Sequence, residues 1–254
     1  MSRSHNSAPS ERARLPCAIL CGGLATRLRP ITEKIPKSLI LVNDEPFIAY
    51  QLRLLHSRAI RRVVLCVGFL GEMIQEFVRD GAKFGLEVSY SFDGRKLLGT
   101  AGAIRKALPM LGRAFFVLYG DSYLECDYGA VAYAFEKSTR RGLMTIYRND
   151  GRFDTSNVEA NGGLIVSYDK RNRTSRMQHI DYGLGVFSAS VFAGLAADEF
   201  RDLAEVYQVL LKTGELAAYE VGERFYEIGS SEGIRDLENH LTKGGRITSD
   251  AGCA

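Results

Sequence analysis

Short apolar runs alternate along this chain with stretches whose apolar positions recur at helical spacing. PCAILC (16–21), RVVLCV (62–67), LEVSYS (86–91) and AFFVLY (114–119) read as strands. Between them, 46–55, 71–79 and 101–108 carry the helical pattern. Strands this continuously apolar belong to a parallel sheet covered on both faces, so an α/β fold with crossover helices is expected. The second half differs in kind. LMTIYR (143–148), GLIVSY (163–168) and the stretch 181–187 follow one another with no helix of comparable length between the first two. Mixed or antiparallel pairing is expected there, with helices at 202–212 and 231–241 and a long polar loop over 149–163 as a candidate substrate segment.

The flanks set the domain limits. Residues 1–14 are rich in Ser and Arg and are expected to be a disordered tail; 15–243 should form one domain and 244–254 a flexible end. No run of about eighteen apolar residues occurs, so neither a membrane span nor secretion is expected, and a cytoplasmic location follows. Five cysteines without a CxxC spacing read as buried free thiols rather than a disulfide or zinc framework. A net charge of +3 is too small for a nucleic-acid face but suits small polyanions held by local cations.

In an open α/β sheet the ligand crevice lies at the carboxyl ends of the strands. The turn after the first strand reads CGGLATRLRP: Gly22 and Gly23 let backbone N–H groups approach a phosphate, and Thr26 and Arg27 add a hydroxyl and a forked cation. Pro36 then stiffens the segment that presents Lys37. Neither a GxxxxGK[ST] loop nor a GxGxxG fingerprint is present at this turn, which argues against P-loop and nicotinamide chemistry. LLGTAGAI (97–104) puts Gly99, Thr100 and Gly102 at a helix start, where either ligand binding or tight packing would explain small residues. Asp121 follows an apolar strand and Gly120, a position from which a carboxylate reaches the crevice.

GGLATRLRP, then PKSLILV, then EPF resembles the signature GGxGTRLxPLTxxxPKxLxPVxxKP of the sugar-1-phosphate nucleotidyltransferases. The resemblance runs over about residues 16–241 and implies a Rossmann-like, mostly parallel mixed sheet flanked by helices, the nucleotide-diphospho-sugar transferase (GT-A-like) fold. It implies catalytic roles for Arg27, Lys37 and Asp121, with Leu20, Gly22, Gly23, Thr26, Gly99, Thr100 and Gly102 also on the nucleotide. Gly120, Asn157, Lys170, Asp181, Tyr182 and Gly183 would hold the sugar phosphate, and Asp121 with Glu227 would hold Mg²⁺. Departures from the family pattern are Ala25 for a glycine, Asp169 for a glutamate, Asp181-Tyr182-Gly183 for N-A-G, and Glu227-Ile228-Gly229 for D-I-G.

The implied reaction joins a nucleoside triphosphate to a sugar-1-phosphate and releases pyrophosphate. LGTAG without the glutamine typical of thymidylyl and uridylyl relatives favours GTP, with mannose- or heptose-1-phosphate as acceptor and CTP and UTP open. Two alternatives stand beside it: the same transfer to a non-sugar phosphate such as phosphocholine, and a silent nucleotide- or sugar-binding regulator.

Overall fold

The computed structural model describes residues 15–23 and 28–244. The expected tails and the turn residues Leu24, Ala25, Thr26 and Arg27 lie outside the described residues. The elements run β1 (Cys17–Leu20), β2 (Leu41–Val42), β3 (Glu45–Pro46), α1 (Phe47–Ser57), β4 (Arg62–Val67), α2 (Gly71–Val78), β5 (Glu87–Phe92), α3 (Gly99–Leu111), β6 (Ala114–Tyr119) and β7 (Ser122–Leu124). There follow α4 (Tyr128–Ser138), β8 (Gly142–Arg148), β9 (Val158–Asn161), β10 (Leu164–Tyr168), β11 (His179–Ser188), α5 (Ser190–Ala193), α6 (Leu203–Lys212), β12 (Leu216–Val221), β13 (Phe225–Glu227) and α7 (Ser231–Gly244).

A nine-stranded sheet organises the chain, in the order β10-β9-β11-β6-β1-β4-β5, with β8 on β11 and β12 on β8. The strands β6, β1, β4 and β5 pair in parallel, as their apolar runs predict. β11 pairs antiparallel with both β6 and β8 and brings the second half onto the same sheet. Successive residues of β1 are buried on opposite faces. Cys17 and Ile19 join the core that includes Ile48, Leu52 and Val131 from α1 and α4; Ala18 joins Ile104, Ala107 and Phe192 from α3 and α5.

Several elements escape the pattern reading, α4 and β12 the longest among them. α4 has few large apolar positions, and its start is fixed by Asp127, whose carboxylate accepts from the Ala130 N–H at 3.0 Å. β12 is an alanine-containing strand that aligns in parallel with β8. The polar segment 149–163 also contains β9, which forms a hairpin with β10.

A third, smaller core anchors the site. Val42, Phe47, Leu54, Tyr123, Ile228 and Leu237 pack together and tie the two-stranded β13–β7 ribbon and α7 to α1. Beside it, the buried Gln51 donates from Nε2 to the backbone oxygens of Tyr119 (3.1 Å) and Ser122 (2.7 Å). The Gly120-Asp121 turn is thus held from inside the protein.

Candidate active site

A cavity of about 410 Å³ opens at the carboxyl ends of β1, β4 and β6. Leu20, Gly22 and Gly23 line it from the β1 turn, Lys37 and Gly229 from one side, and Gly120 and Asp121 from the end of β6. Pro36 is extended and Lys37 begins a single 3-10 turn, so the ammonium projects toward the sheet. Lys37 Nζ donates to Asp121 Oδ2 at 2.6 Å, with the two side chains 16% and 31% exposed. This ion pair is shielded enough to be stronger than a surface pair while both partners remain within reach of the cavity.

Glu227 joins them through backbone pairing. β13 runs antiparallel to β7 with Glu227 opposite Ser122, and the Ile228 N–H donates to the Asp121 carbonyl at 2.9 Å. A methyl placed on Gly229 would lie 3.2 Å from Glu227 Oε1 and 3.6 Å from Lys37 Nζ, so both charged groups crowd the same bare patch of backbone. One cation and two carboxylates, drawn from three distant stretches of chain, meet at one end of the cavity.

The LGTAG segment divides. Gly99 and Thr100 line the cavity, but Gly102 does not. The N–H groups of Ala101 and Gly102 both point at the Arg201 carbonyl, at 2.9 and 3.4 Å, so these first donors of α3 serve the protein's own backbone rather than an anion. Packing sets the residue size: a methyl on Gly99 would come within 2.5 Å of the Arg201 oxygen, and one on Gly102 within 2.6 Å of the Glu199 oxygen. The Thr100 hydroxyl accepts from the Leu203 N–H at 2.6 Å and so satisfies the first N–H of α6, beside the N-cap Asp202, whose carboxylate accepts from the Ala204 N–H.

A second cluster stands on β11, across Tyr119. Lys170 Nζ lies 3.8 Å from Asp181 Oδ2 and 5.3 Å from the centre of the Tyr119 ring, which itself lines the cavity. Asp181 accepts from the Tyr168 hydroxyl at 3.2 Å and from the Gly183 N–H at 3.2 Å, while its own N–H donates to Asn157 Oδ1 at 2.9 Å. Gly183 (φ +97°) sits in an irregularity of the β11–β8 register, a bend that only glycine adopts without strain. Tyr182 is the exception among the residues expected here. Its neighbour's side chain faces Lys170, so its own points to the opposite face, into the core beside Tyr147 and Phe225. Asn157 likewise acts on Asp181 from a buried position rather than facing the cavity.

Three residues that pattern reading passes over belong to the site. Tyr119 is the wall between the two clusters, and burial, reinforced by the carboxylates of Asp181, Asp202 and Asp121, pushes its hydroxyl pKa well above the usual tyrosine value. Gln51 holds the aspartate turn from behind. Asp93, immediately after β5, lines the cavity at its other end, and burial raises its pKa against the opposing Leu98 N–H and Lys106. The signal available for Asp93 was its place at a strand's carboxyl end, shared with Asp121. Cys21 also lines the cavity, but burial pushes its thiol up to about 12, so it stays protonated. Cys17, Cys21, Cys66 and Cys126 are all free and buried.

The nucleotidyl transferase family profile matches residues 17–242. The chain is 30% identical over 215 residues to the D-glycero-alpha-D-manno-heptose 1-phosphate guanylyltransferase of Campylobacter jejuni, covering 84% of this chain and 94% of that one. It is 29% identical over 230 residues to a UTP–glucose-1-phosphate uridylyltransferase of Synechocystis, covering 82% of this chain and 58% of the longer relative. Among solved structures, HddC from Yersinia pseudotuberculosis complexed with GMP-PN superposes with a TM-score of 0.73 at 21% identity, covering 89% of this chain and 99% of that one, and so shares its fold. The mixed sheet is that of the nucleotide-diphospho-sugar transferases, and the chain belongs to the nucleotidyl transferase family as an enzyme of the sugar-phosphate nucleotidyltransferase type.

Proposed function

We propose that the enzyme transfers a guanylyl group from GTP to a sugar-1-phosphate of the mannose or heptose type, releasing pyrophosphate with the help of Mg²⁺. The observation that carries this reading is the meeting of Lys37, Asp121 and Glu227 at one end of a glycine-lined cavity, with Lys170 on the far side of Tyr119. The guanylyltransferase relative from Campylobacter jejuni supports the choice of nucleotide and of a manno-configured acceptor.

The problem such an enzyme must solve is electrostatic. Two unit charges about 4 Å apart repel by roughly 4 kcal/mol at an effective dielectric of 20, and a triphosphate facing a sugar phosphate presents several such pairs. Lys37, and Arg27 outside the described residues, are the proposed cations on the triphosphate; Lys170 is the cation on the acceptor phosphate. Asp181 orients Lys170, and Asn157 with Gly183 orients Asp181. An oxygen of the acceptor phosphate attacks the α-phosphorus in line, a new P–O bond forms, and the bond to the β-phosphate oxygen breaks with pyrophosphate as leaving group. The attacking oxygen is already ionised, so no side chain needs to remove a proton.

The residues fit a magnesium ion. Mg²⁺ takes hard oxygen ligands and is commonly held by one or two carboxylates together with substrate phosphates and water, which is what Asp121 and Glu227 beside a triphosphate would provide. Among the described residues no group of three or more His, Cys, Asp or Glu could hold a metal ion by itself. When bound there, the ion would neutralise charge on the triphosphate and the departing pyrophosphate. The proposed location is the cytoplasm, supported by the free buried thiols.

A matrix of the four triphosphates against several sugar-1-phosphates and phosphocholine, read by pyrophosphate release with and without EDTA, tests the reading. Release with GTP and a manno-configured sugar-1-phosphate, abolished by EDTA, is the expected result. Silence across the matrix would overturn it in favour of a binding protein, and release with phosphocholine alone would overturn the sugar assignment.

A further inference from the structure

A second cavity, of about 600 Å³, lies apart from the one that holds Lys37 and Asp121, between the loops 150–156 and 173–178. Its volume is in the range of small-molecule sites. One wall belongs to the run DKRNRTSRMQ (169–178), which carries Lys170, Arg171, Arg173 and Arg176 against Asp169 alone. That excess equals the +3 of the whole chain, so the remaining residues are formally neutral together. The positive field of this protein is thus concentrated at one pair of loops.

The facing wall, 150–156, is folded around a buried residue. Asn149 is 0% exposed; its Nδ2 donates to the Asp154 carbonyl and to Ser156 Oγ at 3.2 Å, and its Oδ1 accepts from the Phe153 N–H at 3.1 Å. The Gln178 carbonyl accepts from the N–H groups of Asn149 and Asp150, both at 3.0 Å, and ties the two walls together. Ser156 lines the cavity and is 8% exposed. Its oxygen already accepts from Asn149 and it has no second partner among the described residues, so its hydroxyl proton is left to donate.

The acids beside the cavity are engaged elsewhere. Asp150 pairs with Arg148 at 3.2 Å and Arg152 at 3.8 Å, and Asp154 Oδ1 accepts from the Thr155 N–H. On the basic wall, Lys170 stands on Asp181 and Arg176 on Glu159 at 3.3 Å. Arg173 lines the cavity with no ion-pair partner among the described residues. A buried hydroxyl donor on one wall and an unpaired guanidinium on the other suit a tetrahedral oxyanion, whose oxygens accept from both.

We infer that this cavity is a phosphate-group site, distinct from the positions of the triphosphate and of the acceptor's reacting phosphate. Two sources supply that chemistry: a second phosphate on the acceptor itself, or a separate phosphorylated ligand. Asn157 follows Ser156 directly and Lys170 precedes Arg173 by three residues, so the walls of the site continue into the cluster that holds Lys170.

The probe is mannose-6-phosphate, which lacks a phosphate at carbon 1 and therefore does not serve as acceptor. In calorimetric titrations the wild type should bind it, and Arg173→Ala, at an exposed position where folding is not at stake, should weaken binding on the order of 10-fold or more. Ser156→Ala, in which Asn149 keeps its bond to the Asp154 carbonyl, should weaken it by roughly 3-fold or more. Lys37→Ala and Lys170→Ala, in the other clusters, should change it by no more than about threefold. No binding by the wild type, unchanged binding by Arg173→Ala, or a larger loss in Lys37→Ala or Lys170→Ala than in Arg173→Ala would overturn the site. A loss in Arg173→Ala with none in Ser156→Ala would also overturn it, as attraction to a charged surface without a built pocket. Pyrophosphate release from mannose-1-phosphate and from mannose-1,6-bisphosphate distinguishes the sources. A KM roughly 10-fold lower for the bisphosphate, lost in Arg173→Ala, assigns the site to the acceptor, whereas equal KM values beside Arg173-dependent binding assign it to a separate ligand. Only this kinetic arm rests on the nucleotidyltransferase reading: absence of release with every acceptor would overturn that reading and leave the calorimetric result standing.

Discussion

The two charged clusters of this enzyme are built on different principles. At the end of β6, Lys37, Asp121 and Glu227 come from segments far apart in sequence: Lys37 pairs with Asp121 at the cavity wall, and Glu227 lies beside them across the bare backbone of Gly229. On β11, Asp181 is saturated by local partners, with a side chain only 3% exposed, while Lys170 beside it is 45% exposed. The first arrangement leaves the Asp121 carboxylate 31% exposed at the cavity; the second uses a buried carboxylate as a post for a lysine. An acidic residue near a lysine is therefore a poor guide to role until its remaining hydrogen bonds are counted. Asp121 keeps capacity for chemistry, and Asp181 has committed its own to geometry.

That contrast makes separable predictions. Lys37→Ala should lower kcat for pyrophosphate release by about 10²-fold or more, as for loss of an electrostatic stabiliser, with the sugar-phosphate KM nearly unchanged. Steady-state kinetics in both substrates reads this directly. Lys170→Ala should do the reverse, raising the sugar-phosphate KM by roughly 10-fold as an exposed charge-assisted contact is lost, with kcat changed by only a few fold. A large kcat effect at Lys170 would merge the two clusters into one. Smallest is Thr100→Val, which removes the acceptor for the Leu203 N–H while Asp202 still caps α6, and should cost about 1 kcal/mol of stability in denaturant melts while leaving the nucleotide KM within about twofold. A large KM increase there would restore Thr100 to the nucleotide.

Much of this frame was legible in the chain itself. RVVLCV and AFFVLY became β4 and β6 residue for residue, because fully buried parallel strands leave an unbroken apolar run. Lys37 and Asp121 stood out since each lies beside a strand end within a recognisable local run. Helix α4 was not legible: its buried positions Tyr128, Val131 and Ala132 are few, and the rest of its surface is half-exposed or exposed. Tyr182 was misplaced because alternation along β11 sends it to the core while Asp181 faces Lys170. Gln51 depends on what the sheet brings near it, a property that no local spacing encodes, whereas Asp93 shares with Asp121 a place just past a strand's carboxyl end. Gly102 illustrates two origins of one signal, since tight packing against Glu199 demands the same small residue that a ligand would.

The most direct test of the central claim is pyrophosphate release from GTP and mannose-1-phosphate or a heptose-1-phosphate by wild-type enzyme and Asp121→Ala, each titrated with Mg²⁺. The account predicts saturable, magnesium-dependent release by the wild type, and at least about 10²-fold slower release by the variant at any magnesium concentration. Equal rates and equal magnesium dependence in the two proteins would contradict it.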